Sequence, residues 1–105
     1  MDKTYKVYAT QTFYDDYNKT DKSLRDRLDK IKEQLKENPY SGKPLGYDFF
    51  REKKFNGFRV YYLIFEKHLV VLVITFSDKK TQQKTIDFIK KSMDIYRKDI
   101  EAMFK

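Results

Sequence analysis

The chain has 105 residues, with 23 lysines and arginines against 16 aspartates and glutamates, which give a formal net charge of +7. This length supports one domain with one modest core. The chain has no cysteine and one histidine, which excludes disulfides, thiol chemistry, cysteine-based zinc sites and paired catalytic imidazoles. We therefore expect a single domain over residues 1–105 that uses no metal and no cofactor.

The N-terminal segment is charged and alternating, and the longest apolar run, Leu69 to Phe76, is too short to cross a bilayer. The sequence therefore predicts no secretion signal, no membrane-spanning helix and no membrane partner. A chain without cysteine also suits a reducing compartment, so we expect a cytoplasmic protein.

The positive charge is concentrated in the middle of the chain. Residues 51–84 contain eight basic and three acidic side chains, so they carry +5 of the total +7. An even spread of lysines would be explained by solubility alone. A concentrated one favours an anionic partner, either nucleic acid or an acidic protein segment.

The first half of the chain predicts a strand and two helices. Alternation over Tyr5–Ala9 is typical of a short strand with one inward face. A short helix over Phe13–Tyr17 follows, with Thr12 as its candidate cap. A longer helix begins after Thr20 and Asp21, its two candidate caps, and ends at Asn38-Pro39. Its apolar residues recur at spacings of 4, 3 and 4: Leu24, Leu28, Ile31 and Leu35.

The second half begins with an antiparallel meander. Aromatic and β-branched residues predict strands over Phe49–Phe55, Phe58–Glu66 and Leu69–Phe76. Asn56-Gly57 predicts a tight hairpin between the first two, and the segment 44–46 before them predicts a connecting loop. The last strand is apolar on both faces, so we expect it inside the sheet. The first strand of the chain could then pair with it or with the second strand, and we favour the last.

The C-terminal segment, residues 85–105, predicts one amphipathic helix of about twenty residues. Its apolar residues recur at spacings of 3, 4, 3, 4 and 3: Ile86, Ile89, Met93, Tyr96, Ile100 and Met103. The predicted fold class is α+β. An N-terminal strand and a helical hairpin pack on an antiparallel sheet of about four strands, and the C-terminal helix is available to cover the second face.

Two motifs and the order of elements resemble the RelE/ParE superfamily of toxins from toxin–antitoxin systems. The motifs are the Pro-x-x-Gly-Lys-Pro-Leu loop at Pro39–Leu45 and the Gly-aromatic-Arg-hydrophobic-Tyr strand at Gly57–Tyr61. The stretch Ser77–Gln83 is most similar to archaeal members. The resemblance implies a RelE-like toxin fold. In RelE-type members the activity is cleavage of messenger RNA in the ribosomal A site by a cluster of basic residues, whereas ParE-type members poison DNA gyrase.

The resemblance implies roles for basic residues of the middle segment. The residues that match the family's catalytic positions are Arg51, Lys53, Arg59 and Lys79. The neighbouring lysines expected to bind RNA are Lys54, Lys80 and Lys84. Lys53 is the candidate general base, because a lysine among other cations loses its proton more readily. Thr85 falls about where some RelE enzymes carry a tyrosine.

Strand geometry leaves one question open. Arg51 and Lys53 are two residues apart, so their side chains project from the same face of a strand. A two-residue turn makes Lys54 oppose Arg59 and puts Arg59 on the other face. A β-bulge or a longer turn would bring Arg51, Lys53 and Arg59 together.

The predicted function is a toxin that cleaves messenger RNA on the ribosome. A cognate antitoxin is the expected partner, with an acidic or amphipathic segment that covers the basic face or displaces a helix. Two alternatives stay open: a ParE-like gyrase inhibitor, and a toxin-fold binding module without catalytic activity. A basic cluster on one exposed concave face favours the nuclease, whereas dispersed basic residues are compatible with gyrase inhibition.

Overall fold

The computed structural model describes residues 4–105, and within them the chain forms four α-helices and one five-stranded sheet. In chain order the elements are β1 (Lys6–Ala9), α1 (Gln11–Tyr17), α2 (Lys22–Glu37), β2 (Lys43–Tyr47), β3 (Phe50–Phe55), β4 (Phe58–Phe65), β5 (Val70–Asp78), α3 (Gln82–Lys91) and α4 (Met93–Ala102). Single 3₁₀ turns lie at Pro39–Ser41 and Glu66–His68. Among the described helices, none is long and apolar enough to span a bilayer.

The sheet has the strand order β1-β5-β4-β3-β2, with β1 parallel to β5 and the other pairs antiparallel. The α+β class is confirmed, as is the pairing of the first strand with an internal last strand. The number of strands is five rather than about four, because Lys43–Tyr47 forms an edge strand against β3. The prediction of a loop there was wrong. At a sheet edge the missing N–H of Pro44 costs no ladder hydrogen bond, so the strand tolerates it.

The helical hairpin forms as predicted, but α1 has a different cap. The Thr10 hydroxyl, rather than that of Thr12, accepts the Phe13 N–H at 3.1 Å. It also donates to the Ile74 carbonyl at 2.6 Å, which ties the start of α1 to β5. Of the two candidate caps of α2, Asp21 is the one used, because its carboxylate accepts the Leu24 N–H at 2.8 Å.

The C-terminal segment forms two helices rather than one. At the junction the Ser92 N–H donates to the carbonyls of both Phe88 and Ile89, at 3.2 and 3.0 Å, in a tightened turn that ends α3. The apolar spacing continues through this break, so the spacing alone predicts one helix. Met103, the last residue of the predicted stripe, is 51% exposed.

Helices cover both faces of the sheet. We call the side packed by α1 and α2 the hairpin face and the side packed by α3 and α4 the C-terminal face. The buried residues of the hairpin face are Tyr5, Phe13, Leu28, Ile31, Leu35, Val60, Tyr62, Ile64, Val71 and Val73. Those of the C-terminal face are Phe50, Tyr61, Leu63, Val70, Leu72, Ile74, Ile86, Ile89 and Ile100. The C-terminal segment therefore does cover the second face.

Candidate active site on the C-terminal face

The β3–β4 hairpin determines which basic side chains share a face. Asn56 and Gly57 form its two-residue turn, and both have positive φ, 42° and 80°, as a turn that matches the strand twist requires. The register is regular, with Lys54 opposite Arg59 and Lys53 opposite Val60. Arg59 therefore lies on the C-terminal face and Lys53 on the hairpin face. No bulge interrupts β3 and β4, so the alternative that would have brought the predicted catalytic residues together is excluded.

Arg51 has a structural role on the hairpin face. Its Nη1 donates to the carbonyls of Tyr40 and Gly42, at 2.9 and 2.8 Å. Its Nε and Nη2 bind the carbonyl and the carboxylate of Asp48, at 2.8 and 2.6 Å. The side chain is 9% exposed. Because most of its donors hold the segment 40–48 against β3, Arg51 positions this segment. The structure does not bring Arg51 to Arg59.

Lys53 also lies on the hairpin face. Its Nζ donates to the Ser41 hydroxyl at 2.9 Å, and the residue is half-buried. Burial, rather than neighbouring cations, lowers the pKa of Lys53. The sheet separates this candidate base from Arg59.

Arg59 is a buried cation with few partners. It is 8% exposed, and its Nη1 donates to the Gly57 carbonyl at 3.1 Å. Its Nε is buried and has no hydrogen-bond partner. Within residues 4–105 no carboxylate forms an ion pair with Arg59. Because burying an incompletely bonded charge is costly, such a group in a folded protein usually has a functional reason.

Polar side chains surround this guanidinium. We call Glu52, Arg59, Tyr61, Ser77 and Gln82 the Arg59 cluster. Glu52 is 1% exposed, and its two carboxylate oxygens accept from Gln82 Nε2 at 2.9 and 3.2 Å. The Tyr61 and Ser77 hydroxyls lie 2.7 Å apart. Burial raises the pKa of Tyr61, so its hydroxyl stays protonated. The cluster thus joins β3, β4 and β5 to the first residue of α3.

A β-bulge in β5 turns Ser77 towards the cluster. Tyr62 pairs with Val73 and Tyr61 pairs with Thr75, so Ile74 is an extra residue in the strand. With regular alternation Ser77 would face the hairpin face instead. The bulge also keeps Phe76 in the core of the hairpin face.

The predicted RNA-binding lysines lie in different surroundings. Lys54 is exposed and lies directly across the hairpin from Arg59, on the same face. Lys84 lines a separate cavity of about 270 Å³, together with Thr75 and Thr85. The structure therefore brings Lys54 to Arg59 but not Lys84.

Lys79 and Lys80 are exposed in the connection between β5 and α3. They follow Asp78, whose carboxylate accepts the Thr81 N–H at 3.1 Å and so closes this turn. Because Ser77 is opposite Arg59, the connection begins next to the Arg59 cluster. Both lysines thus lie at its rim.

Sequence reasoning missed Glu52 and Gln82 as members of the site. The regular hairpin register already puts Glu52 on the same face as Lys54 and Arg59, so one signal was present. Gln82 gives no comparable signal. It reaches Glu52 only because α3 packs back over the sheet, a contact across 30 residues of chain.

Comparisons with known proteins agree with this architecture. The profile of the family described as ParE toxin of type II toxin-antitoxin system, parDE, matches residues 5–94. Among curated protein sequences, none matches the chain.

Solved structures share the fold at low sequence identity. The intact E. coli RelBE toxin–antitoxin complex has a TM-score of 0.64 at 22% identity, over 70% of this chain and 95% of that one. A mutant of E. coli RelE in the free state has a TM-score of 0.67 at 18% identity, over 79% and 90%. The archaeal RelE–RelB complex from Pyrococcus horikoshii has a TM-score of 0.64 at 17% identity, over 72% and 96%.

The structural matches establish a RelE-type fold, and the family profile extends over most of the chain. The chain therefore belongs to the ParE toxin family of type II toxin–antitoxin systems.

Proposed function

We propose that this toxin is an endonuclease that cleaves messenger RNA on the ribosome, with the Arg59 cluster as its active site. The observation that carries this proposal is the buried Arg59 guanidinium, whose Nε has no partner. A phosphodiester oxygen would bind the guanidinium through its outer nitrogens, since the Nε itself is buried, and arginine presents several donors to a phosphate at once. A cation already fixed in position also stabilises the extra negative charge of a pentavalent phosphorane.

Lys54 takes the role in this proposal that the sequence assigned to Lys53. Attack by the 2′-hydroxyl forms a 2′,3′-cyclic phosphate and breaks the bond to the 5′-oxygen. One group must accept the hydroxyl proton and a protonated group must donate one to the leaving oxygen, on the same face as the phosphate ligand. Lys54 lies on the same face as Arg59 and is exposed to a substrate, whereas Lys53 lies on the opposite face and is half-buried. Lys79 and Lys80 extend the positive potential around the reacting phosphate.

Glu52 and Gln82 act as positioning residues. Glu52 is 1% exposed and so does not reach a substrate, and the hydrogen bonds that it accepts from Gln82 fix α3 against β3. This contact holds the start of α3, and the lysines that precede it, beside Arg59.

Neither alternative function accounts for Arg59 as well. The dispersal of Arg51, Lys53 and Lys84 away from Arg59 is compatible with gyrase inhibition. A gyrase inhibitor or a binding module without catalytic activity nevertheless needs an exposed protein-binding surface and gains nothing from a buried, incompletely bonded guanidinium. Both alternatives remain outcomes of the experiment below.

We propose a cognate antitoxin as the protein partner, because the family consists of toxins from toxin–antitoxin systems. Two similar structures are complexes of a RelE-type toxin with an antitoxin. On the C-terminal helices, Phe88 and Ile95 are each 62% exposed, so this side of the molecule offers apolar contacts to an amphipathic segment. Co-expression with candidate antitoxins, followed by size-exclusion chromatography of wild type and a Phe88→Ser/Ile95→Ser variant, tests this. A complex that survives the double substitution contradicts the use of this surface.

Toeprinting on programmed ribosomes tests the proposed activity. Arg59→Gln should lower the cleavage rate about a hundredfold or more, the usual effect of removing a preorganised charge-stabilising donor. Its folding should be little affected, since within residues 4–105 the Arg59 side chain makes one hydrogen bond, to the Gly57 carbonyl. Arg97→Gln, at an exposed arginine of α4, is the matched control and should cleave normally. Wild-type protein that leaves the message intact, or that inhibits purified gyrase instead, would overturn the proposal.

A further inference from the structure

A second group of cations lies outside the Arg59 cluster. A groove of about 170 Å³ runs between α2 and the outer edge of β3. Its lining residues are Arg27, Lys30, Ile31, Gln34, Lys53, Lys54 and Phe55. The lining contains four cationic side chains and no carboxylate, so the groove is strongly positive for its size.

The groove exists because the edge strand is short. β2 pairs with β3 only as far along as Glu52, which lies opposite Lys43. The outer edge of residues 53–55 has no strand beside it in the described chain. Lys53 and Lys54 both line the groove at this open edge, although their side chains leave opposite faces of β3.

Most of these cations are unpaired. Within the described residues no side-chain hydrogen bond or ion pair is formed by Arg27, Lys30 or Lys54. Three of the four carboxylates of α2 have partners away from the groove: Asp26 with Lys22, Glu33 with Lys36, and Asp29 with Tyr17. The fourth, Glu37, is the last residue of the helix and does not line the groove. The positive charge of the groove is therefore not neutralised by the protein itself.

The size and lining of the groove favour one kind of polyanion. An α-helix with its side chains is about 10–12 Å wide, which does not fit between α2 and β3 in so small a space. The apolar part of the lining is limited to Ile31 and Phe55, which offers few of the side-chain pockets that bound peptides use. A nucleic acid backbone binds through charge alone and needs no such pockets.

We propose that this groove binds the phosphodiester backbone of single-stranded RNA, beside the Arg59 site, with which it shares Lys54. The proposal does not depend on cleavage. In combination with the proposed activity, this binding means that Arg27 and Lys30 hold an RNA strand on the α2 side of the β3–β4 hairpin while the strand reacts at Arg59 on the other side.

Fluorescence anisotropy with a labelled oligouridylate tests this proposal at several salt concentrations. Each phosphate contact with a single strand adds about −0.7 to the slope of log affinity against log salt. The Arg27→Gln/Lys30→Gln variant should bind more weakly, with a slope less steep by about 1.4. Lys67→Gln/Lys98→Gln is the matched control, because it removes the same charge at exposed lysines outside the groove. Its slope should equal that of the wild type.

Three results would overturn the proposal. The first two are an unchanged slope in the groove variant and an equal change in the control variant. The third is a groove variant that binds RNA as the wild type does but has lost affinity for polyglutamate, a model of an acidic protein segment. The last would indicate an acidic protein segment as the occupant. Amide NMR shifts of the wild type provide a second measurement that needs no substitution. RNA should shift residues 27, 30 and 53–55, and shifts confined to other regions would contradict the assignment.

The Arg59→Gln variant separates this inference from the proposed function. If the groove binds RNA, adding Arg27→Gln/Lys30→Gln to the Arg59→Gln variant should make its salt slope less steep by about 1.4, as in the wild-type background, even when cleavage is lost. If ribosomal cleavage is absent from the wild type but the slope difference is present, the groove proposal stands and the endonuclease proposal fails.

Discussion

Tyr61 and Tyr62 are neighbours on β4, and both are 0% exposed, yet their hydroxyls enter different surroundings. On the hairpin face, the Tyr62 hydroxyl donates to the Pro39 carbonyl at 2.6 Å and accepts the Gly42 N–H at 3.1 Å. On the C-terminal face, the Ser77 side chain is the one partner of the Tyr61 hydroxyl among residues 4–105. The first phenol fixes a backbone loop, and the second belongs to a side-chain cluster with an unsatisfied cation.

This contrast extends over the sheet. The apolar cluster of the hairpin face continues to the hairpin tip, where Phe55 and Phe76 pack against it. On the C-terminal face the apolar cluster gives way to Glu52 and Arg59 at the same end of the strands. The comparison teaches that a well-packed apolar core on one face of a sheet can supply the stability that offsets the cost of buried, incompletely bonded polar groups on the other.

The largest effect is expected from the core of the hairpin face. Phe13 is 0% exposed and its ring packs edge-on against Phe76, with centroids 5.7 Å apart. Phe13→Ala should lower the free energy of unfolding by about 3–5 kcal/mol, because it leaves a cavity. Urea denaturation measures this. Ile95→Ala, at a residue 62% exposed, is the control and should change stability by less than about 0.5 kcal/mol. Equal losses in both variants would contradict the contrast.

Lys53 and Lys54 are a matched pair on opposite faces. Lys54→Gln should lower the single-turnover cleavage rate about a hundredfold, as expected for loss of a proton-transfer group, and should alter the pH–rate profile. Lys53→Gln should leave the chemical step unchanged, because the sheet separates it from Arg59. If the Lys53 variant is the slower one, the hairpin face is the catalytic face.

The two tyrosines sharpen the comparison further. Tyr62→Phe should cost about 1–3 kcal/mol, because it leaves the buried Gly42 N–H and Pro39 carbonyl without their partner. Tyr61→Phe removes one bond to a half-exposed serine and should cost less than about 1 kcal/mol. Thermal unfolding of both variants, measured side by side, gives the ranking. A larger loss for Tyr61→Phe would be inconsistent with it.

The last prediction concerns alkaline pH. Burial raises the pKa of Tyr62 to about 12, whereas an unfolded tyrosine titrates near 10. The folded state then binds a proton that the unfolded state loses, so this contribution to stability is complete below pH 10 and is lost as the pH rises towards 12. Stability should fall over that range in the wild type. It should fall less steeply in Tyr62→Phe, and equal slopes would argue against Tyr62 as a source.

Much of the fold could be predicted because its signals are local. Asn56-Gly57 defined a two-residue turn, and from that turn the register and the opposite faces of Lys53 and Arg59 follow by counting. β2 was missed because Pro44 is typical of loops and its pairing with β3 is a tertiary contact. The break at Ser92 was missed because the apolar spacing continues across it.

The site was less predictable than the fold. Arg51 and Lys53 carry the expected charge, but the partners of Arg51 are largely backbone carbonyls, which composition does not reveal. The buried state of Arg59 depends on β5 and α3, whose approach is a long-range event. Side-chain identity therefore predicted which chemical groups are present, whereas their availability depended on the fold.

The extra residue in β5 also affects how this chain should be aligned with its relatives. Ile74 lies between two regular stretches of pairing with β4. The alternation of side chains between the two faces of the sheet therefore shifts by one residue at this point. A relative that lacks one residue here could keep the same core through Val73 and yet present a different set of side chains beyond it. Positions 75–78 can therefore be matched between sequences only after the pairing with β4 is known, and an ungapped alignment would compare residues from opposite sides of the sheet.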